Sequence, residues 1–117
     1  MQLFLVDDDP DILKVFTTFL QFIGHDIVAM ARDGDEAIKI FKTLAKRPDA
    51  IIMDYSMPKV DGLVAMKEIL GIDPSAKIIF LSADFSVKDQ AILAGSVGFL
   101  EKPVEFGDLI KKLDRIG

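Results

Sequence analysis

Apolar residues along this chain fall into two alternating patterns. Short continuous runs, Leu3 to Val6, Ile27 to Ala31, Ala50 to Met53, Ile78 to Leu81 and Val97 to Leu100, read as buried strands. Between them apolar residues recur every three or four positions, the spacing of a helix with one face on a core. The first helix carries Ile12, Leu13, Val15, Phe16, Phe19, Leu20, Phe22 and Ile23, with Asp9 as its N-cap, Pro10 at its first position and Gly24 just past its end. A second, capped by Asp33 or Asp35, carries Ala37, Ile38, Ile40, Phe41 and Leu44 and stops before Pro48. The third begins at Asp61 and runs through Leu63, Met66, Ile69 and Leu70 to a break between Gly71 and Ser75, around Pro74. A shorter fourth helix spans about Ser86 to Leu93 and ends at Gly95, and a fifth spans about Glu105 to Arg115.

Strict alternation of strand and helix, with strands too uniformly apolar to face water, predicts parallel β-α units joined by right-handed crossovers and covered by helices on both faces. The expected fold is α/β, a flavodoxin-like doubly wound (βα)5 domain with a five-stranded parallel sheet in the order 2-1-3-4-5. Residues 1–117 read as a single domain, with no linker or low-complexity stretch.

Four of the apolar runs end on polar residues: Asp7 and Asp8, Asp54, Ser82, and Glu101 with Lys102. In a parallel sheet these ends share one edge, where open α/β sheets hold their ligands. The first and third strands are neighbours in the expected order, which brings Asp7 and Asp8 across about 5 Å from Asp54. Carboxylates that close repel by roughly 3 kcal/mol per pair at an effective dielectric near 20. A hard divalent cation such as Mg²⁺ suits an all-oxygen cluster of this kind. Lys102 supplies a second positive charge from a strand about 10 Å away, and Ser82 stands one strand from Asp54. A carboxylate nucleophile, a metal, an ammonium and a hydroxyl donor are the parts that phosphoryl transfer to an aspartate requires.

Composition narrows the field. Fourteen Lys and Arg against 19 Asp and Glu give a formal net charge of -5, which repels phosphate backbones and disfavours direct binding of nucleic acid. The absence of cysteine removes disulfides, thiolate metal sites and thiol nucleophiles, and is compatible with a reducing compartment. The apolar runs fall far short of the ~18 residues of a membrane span and no export signal precedes them, so a cytoplasmic location is expected. No G-x-x-x-x-G-K-[ST] loop occurs, so the phosphoryl donor is another molecule. His25, alone in a turn, reads as a surface residue, Asp9 as a helix cap, and Glu101 as a solvated rim residue.

With these residues in place the whole chain resembles the receiver domain of two-component response regulators. Asp7 and Asp8 match the acidic pair after the first strand. Asp54, within Met53-Asp54-Tyr55-Ser56-Met57-Pro58, matches the phosphoacceptor; Asp61-Gly62, Ser82-Ala83 and the Lys102-Pro103 ending of the last strand also match. The resemblance implies that Asp54 accepts a phosphoryl group from a sensor histidine kinase or histidine phosphotransferase. It assigns Mg²⁺ to Asp8, Asp54 and the Ser56 carbonyl, with Asp7 acting through the metal's water shell, and a cis bond to Pro103. It further implies a switch in which Ser82 moves toward the phosphoryl group and Phe99 rotates into the space it leaves. That movement would reshape the surface of the fourth helix, last strand and fifth helix for a downstream output protein or domain. Such a switch phosphorylates and dephosphorylates itself without turning over an external substrate. It would act as a monomer, with dimerisation on phosphorylation left open, and without inserting into a membrane.

Two other readings compete. A haloacid-dehalogenase-like phosphatase would use Asp7 as nucleophile in Asp7-Asp8-Asp9, yet the fourth strand ends in Ser82-Ala83-Asp84 without that family's late acidic motif. A receiver-like binding module that is not phosphorylated would have no need of Asp8, Asp54, Ser82 and Lys102 together.

Overall fold

Alternation within each strand sorts the core into two layers. The structure, a computed structural model, describes residues 1–57 and 60–116; Pro58 of the Asp54 motif lies outside them. In order the elements are β1 (Gln2–Val6), α1 (Pro10–Phe22), β2 (Asp26–Ala31), α2 (Gly34–Thr43), β3 (Ala50–Asp54), α3 (Gly62–Ile72), β4 (Ile78–Ser82), a 3-10 turn (Phe85–Val87) leading into α4 (Lys88–Ala94), β5 (Gly98–Glu101) and α5 (Phe106–Ile116). The strands form one parallel sheet in the order β2-β1-β3-β4-β5, the flavodoxin-like arrangement expected of the sequence.

On one face Phe4, Val6, Ile51, Met53, Ile78, Phe80 and Phe99 pack against α2, α3 and α4 through Phe41, Ala65, Met66, Ile69 and Ala91. On the other, Leu3, Leu5, Ile52, Ile79, Leu81 and Leu100 pack against α1 and α5 through Leu13, Phe16, Leu20, Leu109 and Leu113. Complete burial of side chains this size contributes about 1.5–3 kcal/mol each. β1, β3 and β4 are buried almost throughout, whereas the edge strand β2 exposes alternate residues, Val28 and Met30 among them.

Aspartates begin the helices. Asp9, Asp33 and Asp61 each accept a backbone N–H of the following first turn, which settles the second helix's cap on Asp33 rather than Asp35. Helix α3 ends at Ile72, which packs on the core, and Asp73 closes it ahead of Pro74, within the expected break. The fourth helix starts two residues later than its periodicity implies, at Lys88, since residues 85–87 wind as the tighter turn capped by Asp84. At its end Gly95 sits at φ 116°, a conformation that costs a residue with a Cβ dearly.

Candidate active site

The polar residues at the sheet edge are held by a backbone ladder that runs past the strands. Asp54 and Ser82 are themselves the last residues of β3 and β4. Asp7 N–H donates to the Ala31 carbonyl at 3.1 Å, Tyr55 N–H to that of Leu81 at 2.9 Å, and Lys102 N–H to that of Ser82 at 2.9 Å. Each functional side chain therefore leaves a backbone fixed by its neighbouring strand.

Asp7 and Asp9 divide the work of the first loop. The Asp9 carboxylate caps α1 through Asp11 N–H, and Asp9 N–H donates to Asp7 Oδ1 at 2.9 Å. One oxygen of Asp7 is thus engaged locally, while Oδ2, buried, accepts no hydrogen bond. The phosphatase reading pairs Asp7 with Asp9, and Asp9 is committed to its helix.

Beneath Asp54 the chain returns closely on itself. Gly62 N–H donates to the Tyr55 carbonyl at 2.9 Å, and a Cβ at residue 62 would lie 2.2 Å from the Asp54 carbonyl oxygen. Only glycine allows α3 to start there, with Asp61 capping it. The Asp54 carboxylate is almost wholly buried, as is that of Asp7, while Asp8 is exposed.

Carboxylate oxygens of Asp7, Asp8 and Asp54 lie within 4.8 Å of one another. Lys102 closes the gap that its distance in the sheet had left: Nζ stands 2.6 Å from Asp54 Oδ1 and 3.7 Å from Asp7 Oδ2. The Lys102–Pro103 peptide bond that follows is cis. Burial pushes the Asp54 carboxyl above its usual range, against the pull of Lys102, with the charge of Asp8 adding to the rise. Burial raises Asp7 likewise; the Asp9 N–H and Lys102 oppose it, and Asp54 and Asp8 add to it. For Lys102 burial acts downward, but the carboxylates of Asp54, Asp7 and Asp8 together outweigh it and hold the ammonium above its ordinary value.

One ammonium against three carboxylates leaves the cluster short of positive charge. An all-oxygen donor set with a buried carboxylate oxygen that accepts no hydrogen bond fits a small hard dication.

Ser82 is buried beside this cluster, its hydroxyl accepting the Asp84 N–H at 2.9 Å. Phe99 lies on the sheet face that Phe80 shares, its ring 6.4 Å from that of Phe80 and 6.1 Å from that of Phe85. Glu101 is exposed at the rim. Sequence reasoning passed over Phe85, whose signal is its place just after Ser82-Ala83-Asp84 in a stretch assigned to no element.

Comparison with known proteins places these features in a family. Residues 3–114 match the response regulator receiver domain family. Chemotaxis protein CheY of Thermotoga maritima is 33% identical over 114 residues, covering 96% of this chain and 93% of that protein. CheY in the CheX-CheY-BeF3-Mg complex of Borrelia burgdorferi superposes with a TM-score of 0.93 at 25% identity, over 99% of this chain and 88% of the other. The receiver domain of sensor histidine kinase PA1611 from Pseudomonas aeruginosa, solved with magnesium in its active-site cleft, gives a TM-score of 0.85 at 29% identity, over 97% of this chain and 94% of the other.

Proposed function

This chain belongs to the response regulator receiver domain family, a family of phosphoacceptor signalling domains in two-component systems, and we propose that Asp54 is its phosphoacceptor. Receiver domains work with histidine kinases and downstream effectors. The donor here is the phosphohistidine of a sensor histidine kinase or histidine phosphotransferase. An Asp54 carboxylate oxygen attacks phosphorus in line, the P–N bond to the imidazole breaks, and an acyl phosphate forms.

The observation that carries this reading is the meeting, at one sheet edge, of a buried carboxylate, an ammonium 2.6 Å away and two further carboxylates. Lys102 offsets charge on the transferred group and Ser82 offers it a hydroxyl. Asp7, Asp8, Asp54 and the Ser56 carbonyl would hold Mg²⁺, which when bound neutralises the oxygens of the incoming phosphoryl group. Water later cleaves the acyl phosphate and restores Asp54, so no external metabolite is turned over. Ser82 turns to the phosphoryl group, Phe99 moves into the space vacated, and the α4-β5-α5 surface presents a new shape to the output partner. With phenylalanine at 99, no hydroxyl takes part in that contact.

Intact-mass measurement after incubation with Mg²⁺ and acetyl phosphate tests the assignment. The wild type should gain one phosphoryl group, and Asp54→Asn or chelation should abolish the gain. An unmodified wild type would overturn the reading. An adduct that survives Asp54→Asn but is lost in Asp7→Asn would replace it with the phosphatase assignment.

A further inference from the structure

Gly34 opens α2, and nothing in its backbone conformation asks for glycine. Among the described residues only Gly24 and Gly95 are glycines at positive φ, and at a helical position alanine is the better helix former. The reason for glycine is contact across the fold. Gly34 is buried, and a Cβ there would lie 2.2 Å from the carbonyl oxygen of Val60 and 2.9 Å from its Cγ1. Non-bonded heavy atoms rest at about 3.5–4.0 Å, so a methyl group needs roughly 1 Å more room than the two segments leave.

Val60 sits at the far end of the connection that carries Ser56. At the near end Tyr55 is held twice: its N–H donates to the Leu81 carbonyl and its own carbonyl accepts the Gly62 N–H, both at 2.9 Å. The peptide plane between Tyr55 and Ser56 is thereby fixed. The Ser56 carbonyl belongs to the next plane, and its direction follows the course the chain takes from there to Val60. Val60 is half-buried against the core and rests on Gly34, while α2 is capped by Asp33 and anchored in that same core by Ala37 and Phe41. A Cβ added at residue 34 therefore displaces the connection rather than the helix.

We propose that Gly34 is a positioning residue for the metal: by lacking a Cβ it seats the Val60 backbone, and that seat fixes the direction of the Ser56 carbonyl. The metal half of this statement rests on the reading of Asp7, Asp8, Asp54 and the Ser56 carbonyl as the Mg²⁺ site; the seat does not. Gly34 supplies no ligand and acts only through Val60. Mg²⁺ takes its oxygens at about 2.0–2.1 Å in near-ideal octahedral geometry, so a shift of roughly 1 Å in one of them is poorly tolerated. Groups that hold metal ligands in place are typically worth about 10- to 100-fold in affinity.

Mg²⁺ titration by calorimetry and carbon-13 carbonyl shifts, on Gly34→Ala beside Gly71→Ala and Gly107→Ala, test this. The two controls insert the same methyl group into a helix where a Cβ meets nothing within 4 Å. In Gly34→Ala the Mg²⁺ dissociation constant should rise roughly tenfold, and the Ser56 carbonyl resonance of the metal-free chain should move. Both controls should match wild type in both readings. A Gly34→Ala chain that is less stable in urea yet binds Mg²⁺ as wild type does would make Gly34 a packing residue and overturn the proposal. So would a weakened affinity with the Ser56 carbonyl unmoved, because the effect would then have reached the metal by another route. Should Gly34→Ala fail to fold, Val60→Gly carries the test: it adds no atom, loosens the seat from the other side and should also raise the dissociation constant, and an unchanged constant would overturn the proposal. If wild type itself takes up no Mg²⁺, the metal reading falls, and the Ser56 resonance of metal-free Gly34→Ala still decides whether Gly34 sets that carbonyl.

Discussion

The two halves of the sheet edge are built on opposite principles. On the β1–β3 half, Asp7 and Asp54 are almost fully buried, lie close to each other and to Asp8, and are pushed toward protonation by burial. Their backbones are pinned and they have nowhere else to go. On the β4–β5 half, Ser82, Phe99 and Lys102 each have a partner already: the Asp84 amide, the Phe85 ring and the Asp54 carboxylate. Each could exchange that partner for another. Electrostatic unrest is thus stored where the geometry is fixed, and freedom of movement where the interactions are satisfied. On the function proposed above, the first would draw a ligand and the second would report it.

The largest test of this contrast removes the one group that belongs to both halves. Lys102→Ala strips the buried carboxylates of their cation and should lower the metal-free stability at neutral pH by about 1–3 kcal/mol in urea unfolding. That is less than for a fully buried pair, because the Lys102 side chain keeps 30% exposure. Mg²⁺ binding should survive the substitution, while phosphorylation loses its hold on the output surface. A variant as stable as wild type would mean that the carboxylate half is not under strain.

A smaller effect is expected from Asp8→Asn. Asp8 is exposed, so stability should stay within about 0.5 kcal/mol of wild type, while the Mg²⁺ dissociation constant by calorimetry rises roughly tenfold or more. In the wild type the same titration should weaken on mild acidification, since Asp7 and Asp54 hold their protons to higher pH than ordinary carboxylates and must release them to bind metal. Equal affinity at neutral and acid pH would separate the metal from these carboxylates.

The most modest effect is a gain. A carboxyl whose folded-state pKa is raised favours the fold while protonated, and that contribution disappears as pH rises from the unfolded value of 3.8 through the folded one. Asp7→Asn should therefore match wild type in strong acid and become more stable, by an amount on the order of 1 kcal/mol, as neutral pH is approached without metal. Thermal unfolding across that range would expose the opposite trend if Asp7 were at ease where it lies.

Much of this layout was legible because it is local or periodic. The caps Asp9 and Asp61 announce their helices by residue type, and buried parallel strands write themselves as unbroken apolar runs. Alternation with helices announces a doubly wound parallel sheet, and the order 2-1-3-4-5, one of the orders open to that class, makes β1 and β3 neighbours and brings Asp7, Asp8 and Asp54 together. What stayed hidden depends on contacts between segments distant along the chain. Nothing local says that Gly62 must lack a Cβ because the Asp54 carbonyl lies beneath it. Nor does spacing say that Lys102, two strands away, reaches Asp54 directly, since that depends on how a flexible side chain crosses the sheet edge. Phe85 escaped because the turn it begins has no periodicity to betray it.

The place of β3 in the sheet carries one more consequence. It is the central strand, paired on both sides and buried along its whole length, whereas β5 is a four-residue strand with a partner on one side only. In amide hydrogen exchange, Met53 and Asp54 should open only with the whole domain, and the amides of Gly98 to Glu101 well before it. The record of a signal would then be written in the part of the molecule that forgets its structure last, and displayed on the part that renews its structure most often.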